Sequence, residues 1–194
     1  VRAAAKKPSN VQQSRSIALD ARGRLRLACI ADTHSNPHPK AVHWIERLSV
    51  DAILHAGDIG DLSVLDTFRP LAPLIAVRGN IDERASDLPD VVTLSLTADG
   101  ANVMTLLLMH IAVYGPKLRA DAARLAAASE ARLLVCGHSH VPFIGRDRGV
   151  TLFNPGSIGP RRMHLPIVFG VLEVAEGKLT LRHISCETGE EWLP

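Results

Sequence analysis

Apolar positions along the chain alternate between two periods. "RLRLACI" at Arg24 to Ile30 is a short apolar run with strand character, and "PKAVHWIERLS" follows with Val42, Ile45 and Leu48 at helical spacing and Pro39 near the helix start. "DAILHAG" is the next strand, "DLSVLDTFRP" a short helix ended by Pro70, and "PLIAVRGN" a third strand. A βαβαβ beginning of this kind implies parallel pairing with right-handed crossovers. The middle of the chain changes character. "VVTLSL" and "NVMTLLLMH", joined by Asp99-Gly100, predict an antiparallel hairpin, and "KLRADAARLAAASEA" predicts a long Ala-rich helix over 117–131. A strand at Leu133 to Cys136, then "GVTLF", "PIVFGVLEV", the turn "AEGK" and "LTLRHIS" complete the pattern. Parallel units followed by hairpins define an α/β chain of two packed mixed sheets with helices outside.

The first fifteen residues, "VRAAAKKPSNVQQSR", are polar, mildly basic and aperiodic, so residues 1–24 are expected to be a flexible or extended leader ahead of a single domain over 25–194. Asp20 to Gly23 is a turn signal that could join a short first strand to the one at Leu25. Composition narrows the function classes. With 194 residues and 46% hydrophobic content the chain can bury a real core, and a net charge of +2 gives no strong nucleic-acid signal. Cys29, Cys136 and Cys186 lie in apolar contexts without C-x-x-C spacing, which predicts reduced core thiols. No apolar run reaches membrane-spanning length and no secretion signal is visible, so the cytoplasm is the expected location.

Polar residues stand where the apolar strands stop. "LACIADTH" ends in Asp32 and His34, "AILHAGD" in Asp58, "LIAVRGNID" in Asn80 and Asp82, "TLLLMH" in His110, and "LLVCGHSH" in His138 and His140. In open α/β sheets ligands bind beyond the carboxyl ends of strands. An isolated H-x-H pair would as readily cap a strand by hydrogen bonding. Five strand ends tipped only with Asp, Asn and His point instead to one shared site.

The ordered series "DTH", "GD", "GN", "H" and "GHSH" resembles the signature of the calcineurin-like metallophosphoesterase superfamily, and "GNID", "NPGS" and the absence of a lid insertion resemble its small bacterial and archaeal phosphodiesterase branch. The resemblance covers Leu25 to the C-terminus. It implies a four-layer α/β/β/α fold, a β-sandwich flanked by helices. It implies one divalent ion on Asp32, His34 and His140, a second on Asn80, His110 and His138, and Asp58 bridging them, with manganese expected and iron, zinc or nickel as alternatives. The implied reaction is in-line attack on a phosphodiester by a metal-bridging hydroxide. Two divalent ions less two carboxylates and one hydroxide leave one positive charge for the phosphate. The neutral amide of Asn80 preserves that charge.

The chain departs from the family at two points. Ile81 stands where larger members carry a histidine that protonates the leaving group, so no side-chain acid is identified. Ile111 and Ala112 replace the Gly-His that usually follows the histidine of "MH", which bears on the pose of His110. Asp82 is either a cap after Asn80 or the orienting partner of a histidine ligand. Arg161, Arg162 and His164, on the loop after "NPGS", are candidates to meet a substrate phosphate, while Asn154 is expected to shape that turn. His55 is expected to be a core or supporting group, and His38 and His43 to be solvated.

The resemblance implies a metal-dependent phosphodiesterase acting on a small substrate, a nucleotide derivative among the candidates. Two rivals stand beside it: a non-catalytic binding scaffold on the same fold, as in the retromer subunit, and a phosphomonoesterase. Retention of all seven ligand positions weighs against the scaffold. The apolar hairpin edges leave room for a homo-oligomer.

Overall fold

A computed structural model describes residues 11–193 of the chain. In order, the elements are β1 (Gln12–Ala18), β2 (Leu25–Ile30), α1 (Pro39–Leu48), β3 (Ala52–His55), α2 (Val64–Phe68), β4 (Leu74–Ala76), β5 (Val91–Ala98) and β6 (Ala101–Met109). They continue with β7 (Val113–Tyr114), β8 (Lys117–Leu118), α3 (Ala120–Ala128), β9 (Leu133–Val135), β10 (Phe143–Asp147), β11 (Val150–Asn154), β12 (Val168–Ala175), β13 (Lys178–Ser185) and β14 (Glu191–Trp192).

The two-residue period of a strand sorts the core into layers. In β2, Leu27 and Cys29 point into one apolar layer, while Ala28 and Ile30 point into another. The first layer lies between two six-stranded mixed sheets, ordered β14-β13-β12-β2-β3-β4 and β1-β5-β6-β9-β11-β10. It joins Leu27, Leu54 and Leu172 to Leu94, Leu106, Val135 and Phe153. On the outer face of the first sheet, Ala41 and Ile45 of α1 and Val64, Leu65 and Phe68 of α2 pack against Ile30, Ile53 and Val171. On the outer face of the second, Ala122 and Ala126 of α3 cover Leu107, Leu134 and Leu152. The architecture is therefore the expected α/β/β/α sandwich.

Strand direction is what positions the site. β2, β3 and β4 run parallel, and so do β6 and β9 in the opposite sheet. Their carboxyl ends open at the same edge of the sandwich, so the segments that follow meet there. The β5–β6 hairpin and the β12–β13 hairpin form as the sequence predicts. Cys29, Cys136 and Cys186 are buried and free, and no helix among the described residues is long and apolar enough to cross a membrane.

Two local expectations are corrected. The helix over 117–131 is shorter, because Leu118 donates its amide to Asp147 Oδ2 at 2.9 Å and Arg119 donates to Ala112 O at 2.9 Å. Those amides are taken by distant partners, so Lys117–Leu118 pairs with Val113–Tyr114 and the helix starts at Ala120. The expected leader, flexible or extended, contains the short first strand and it begins earlier than the aperiodic stretch suggested: β1 pairs in parallel with β5, from Gln12 opposite Val91 to Ala18 opposite Thr97. Only Ile17 and the following Leu19 reach the core, which hides the alternation from a hydrophobicity pattern. Residues 1–10 lie outside the described part. The turn at Asp20 to Gly23 forms, with Asp20 Oδ1 accepting from the amides of Arg22 and Arg24 at 2.8 Å each, but it joins strands of different sheets. The short edge strand β10 was not foreseen at all.

Removing residues 1–19 should lower stability by roughly 2 kcal/mol or more, because the apolar contacts of Ile17 and Leu19 are lost with the ladder to β5. Urea unfolding checks this. An unchanged midpoint would mean that β1 contributes nothing to the fold.

Candidate metal centre

Three of the five strand ends carry their polar residues on unusual backbone. Asp32, His34, Asp58, His138 and His140 all have left-handed φ, between 45° and 72°. Non-glycine residues rarely hold that conformation, Asp and His tolerate it better than most, and such strain gathers at functional sites. Sharp turns of this kind bring consecutive side chains to one spot. They also demand close backbone approach: a Cβ on Gly79 would lie 2.1 Å from Asp58 Oδ1, so the residue before Asn80 has to be glycine.

Two clusters result, Asp32–His34–His140 and Asp58–His110–His138, each with one donor atom per residue lying within 4.8 Å of the others. In the first, the Nε2 atoms of His34 and His140 are 3.2 Å apart and His140 Nε2 is 3.5 Å from Asp32 Oδ1. In the second, Asn80 Oδ1 lies 3.0 Å from His110 Nε2 and 3.1 Å from His138 Nδ1. Asp58 faces both, with Oδ1 3.2 Å from His110 Nε2 and Oδ2 3.9 Å from His34 Nε2. The seven residues that the family resemblance marks as ligands are thus brought together.

The donor chemistry fits divalent cations. His110 Nδ1 lies 2.8 Å from Ala56 O, and a carbonyl only accepts, so Nδ1 carries the proton. In the neutral ring Nε2 then offers a lone pair toward the oxygens of Asp58 and Asn80. Acceptors facing acceptors need a cation between them, either a proton or a metal. In the first cluster, His140 Nδ1 is buried and has no hydrogen-bond partner among the described residues. The carbonyl bond also answers the question raised by Ile111: the pose of His110 is fixed from β3's side and does not depend on a following glycine.

Electrostatics follows from burial and crowding. Burial pushes the fully buried Asp32 carboxyl up to about 7, and the neighbouring Asp58 charge adds to the rise against the opposing pull of His110. Burial acts upward on Asp58 too, but the hydrogen bond and charge of His110 and the Ile81 amide outweigh it and hold Asp58 at about 2. Burial pulls His110 down, yet its bond to Asp58 and the charges of Asp32 and Asp58 leave it raised. Desolvation lowers His34 and His138, and brings His140 to about 4, so these rings are neutral and able to coordinate at physiological pH.

Supporting groups are assigned by their bonds. Asp82 is buried and accepts from the amides of Ile59 (3.1 and 3.0 Å), Gly60 (2.9 Å) and Gly79 (2.8 Å). It clamps the loop after Asp58 to the loop before Asn80 and makes no hydrogen bond to a histidine among the described residues. Asn154 donates to Gly137 O at 2.8 Å and Ser139 Oγ at 3.0 Å, and accepts from Gly156 at 2.9 Å, so it shapes both the "NPGS" turn and the "GHSH" loop. His55 is fully buried: Nδ1 accepts from the Gly57 amide at 3.1 Å, which leaves Nε2–H to donate to Thr33 Oγ1 at 3.1 Å. Thr33 in turn donates to Ile59 O at 3.0 Å, tying the first two loops together. Sequence reasoning passed over Thr33 and Ser157, whose hydroxyl donates to Asp32 O at 3.0 Å. Their only signal was adjacency to motif residues.

The three candidates on the 159–166 loop separate. Arg162 reaches the centre, its Nη2 donating to His34 Nε2 at 3.2 Å. Arg161 turns away to Glu187 at 2.7 Å and Leu165 O at 3.0 Å. His164 is exposed and has no hydrogen bond to the clusters. His38 is half-buried and caps α1, accepting from the Lys40 amide, while His43 is exposed with its ring against the edge of Trp44.

A sandwich that gathers two His/Asp clusters at the carboxyl ends of its parallel strands is the architecture of a metallophosphoesterase. The model of the Calcineurin-like phosphoesterase superfamily domain matches residues 25–177, and the chain belongs to that superfamily. The Methanocaldococcus jannaschii protein named "Probable metallophosphoesterase MJ0623" is 34% identical over 142 residues, 70% of this chain and 69% of that one. Phosphodiesterase YfcE of Escherichia coli is 30% identical over 104 residues, 52% of each chain. Among solved structures, Entamoeba histolytica Vps29 complexed with zinc superposes with a TM-score of 0.67 at 21% identity, covering 87% of this chain and 96% of that one, which is likeness of fold. Two His/Asp clusters of this kind form a metal site typical of the superfamily.

Two outcomes are expected. Asp82→Asn turns an amide donor toward backbone N–H groups and should cost about 1–3 kcal/mol in urea unfolding, with weaker metal uptake as the two loops lose their clamp. Metal binding should also release protons. Asp32 is raised from 3.8 to about 7, so its contribution to the stability of the metal-free fold is full below about 3.8 and lost as the pH rises through about 7. Below pH about 7 an incoming metal must displace that proton, and affinity should fall by up to roughly tenfold per pH unit. Calorimetric titration at pH 6 in buffers of different ionisation enthalpy measures the release, and identical heats would contradict the protonated Asp32.

Proposed function

We propose that the protein is a metal-dependent phosphodiesterase that holds two divalent ions, with Asp32, His34 and His140 about one, Asn80, His110 and His138 about the other, and Asp58 between them. The observation that carries this reading is the orientation of Asp58, whose two oxygens face different clusters at 3.2 and 3.9 Å. A carboxylate so placed can share its charge between two cations. When bound, the ions would supply Lewis acidity for phosphoryl oxygens and lower the pKa of a water.

The chain's own residues do the remaining work. Asp32 and Asp58 contribute two negative charges and Asn80 contributes an oxygen without charge, so a centre loaded with two divalent ions stays positive and attracts an anion. The Ala56 carbonyl fixes the His110 tautomer, and the Asp82 clamp fixes the loops that carry Asp58 and Asn80. Ile81 is half-exposed beside Asn80 and cannot donate a proton. Leaving groups of low pKa are therefore favoured, with water protonating the rest.

A diester is preferred over a monoester because a cleft of about 450 Å³ adjoins Asn80, lined by Leu62, Ile81, Glu83 and Arg84. It gives room to a second ester substituent, and a nucleotide derivative is a candidate of suitable size. The name of the Escherichia coli relative supports the same substrate class. Manganese is proposed as the working ion, with iron, zinc and nickel suited to the same oxygen and nitrogen donors. Zinc in a protein of this fold fits that donor preference. The scaffold reading is disfavoured by buried Asp32, Asp58, His110 and His140, since unpaired buried acids and imidazoles are costly in a protein that has no use for them.

With manganese added, an activated aryl phosphodiester should be hydrolysed faster than the matching monoester, and chelator should abolish turnover of both. Asp58→Asn should lower metal content and reduce activity by at least the roughly 100-fold seen when a ligand's outer partner is lost. Preference for the monoester would replace the diesterase assignment. Absence of turnover with stoichiometric metal bound would favour the scaffold.

A further inference from the structure

Arg162 is a guanidinium without an acid. Like Arg15, Arg47, Arg84, Arg132 and others, it forms no ion pair among the described residues; what sets it apart is its place against a side chain of the candidate centre. Its one side-chain bond goes to His34 Nε2, the atom that closes toward His140 and Asp58 in the candidate centre. A lone pair committed to a metal cannot also accept from Arg162. Ligation of His34 would therefore free the Arg162 donors beside the candidate centre.

The loop that carries Arg162 is held firmly at both ends. Ser157 Oγ donates to Asp32 O at 3.0 Å, His38 donates its amide to Ile158 O at 2.6 Å, and a Cβ on Gly159 would lie 2.2 Å from Asp32 O. The loop is thus seated on the backbone of a ligand residue. On its far side Arg161 binds Glu187 at 2.7 Å and Leu165 O at 3.0 Å, and Leu165 donates its amide to Arg162 O at 3.0 Å. The consecutive arginines diverge: one is consumed in anchoring, and the other is left extended over the centre.

We propose that Arg162 is the residue that grips a non-bridging phosphoryl oxygen of the substrate, and that Arg161 is a positioning residue that aims it. This rests on the two-ion reading of the centre. Hydroxide attack on a monoanionic diester makes a phosphorane with one more negative charge on its equatorial oxygens, so a fixed guanidinium binds the transition state more strongly than the ground state. A guanidinium suits two oxygens at once and cannot lose its proton at working pH. The same positive charge repels the cations that the centre takes up. Arg162 thereby couples the two ligands with opposite sign, disfavouring the metals and favouring the anion.

The test uses the full chain loaded with Mn²⁺, inorganic phosphate as the probe, and calorimetry for both. Arg162→Met should weaken phosphate binding by about 10- to 100-fold while tightening Mn²⁺ binding by roughly fivefold or more. Arg162→Lys, which keeps the charge without the fork, should restore the parental Mn²⁺ affinity and recover phosphate binding only in part. The Arg161→Glu variant should weaken phosphate binding, and adding Glu187→Arg, which restores both the pair and the net charge, should rescue it. Phosphate affinity within twofold of the parent in Arg162→Met would overturn the grip, and so would losses of phosphate and metal together, which mark a merely structural role. A parent chain that takes up no Mn²⁺ would overturn the two-ion reading itself and this assignment with it, which separates the two failures.

Discussion

Crowded lone pairs govern this molecule. At one edge of the sandwich, carboxylate, amide and imidazole acceptors from five strand ends lie about 3 to 4 Å apart, and only positive charge among them makes the arrangement stable. Without metal the protein meets that need in part with protons, and the elevated Asp32 and His110 express it. Each such proton marks a place where a cation of higher charge would serve better. The surrounding bonds can be understood as holding the acceptors together against their own repulsion: the Asp82 clamp, the His55–Thr33 tie and the seating of Ser157 on Asp32.

The fold supplies the crowding for reasons that are purely topological. Parallel strands in one sheet end at one edge, and two stacked sheets whose parallel segments end at the same edge double the number of chain segments that can meet. Most of this was legible in the sequence. Strand runs punctuated by Asp, Asn and His gave the edge, and the order of the motifs gave the family. Legibility failed where period did not reflect burial. β1 is exposed along most of its length and holds its place by backbone bonds to β5, which leave no trace in hydrophobicity. The start of α3 failed for a related reason: Leu118 and Arg119 are good helix residues by composition, but their amides are claimed by Asp147 and Ala112 from elsewhere in the chain.

Within the site the same division holds. Side chains that point at the centre were found because their chemistry is conspicuous. Residues that hold the backbone were ambiguous, since an aspartate accepting three amides and one orienting an imidazole look alike in a sequence. Asp82 proved to be the former, and the diverging roles of Arg161 and Arg162 depended on Glu187, 26 residues further along. The left-handed turns at Asp32, His34, Asp58, His138 and His140 had no signal beyond residue types that tolerate them.

The polar strand β1 has a consequence outside the site. Its neighbour β5, "VVTLSLTA", contains neither charge nor proline, and strands of that composition recruit further strands when an edge is left bare. By lying along β5, β1 substitutes an edge bearing Gln12, Gln13, Ser14, Arg15 and Ser16, whose charge and polarity discourage stacking between chains. The first strand thus gives an uncharged neighbour a polar border in place of a bare one.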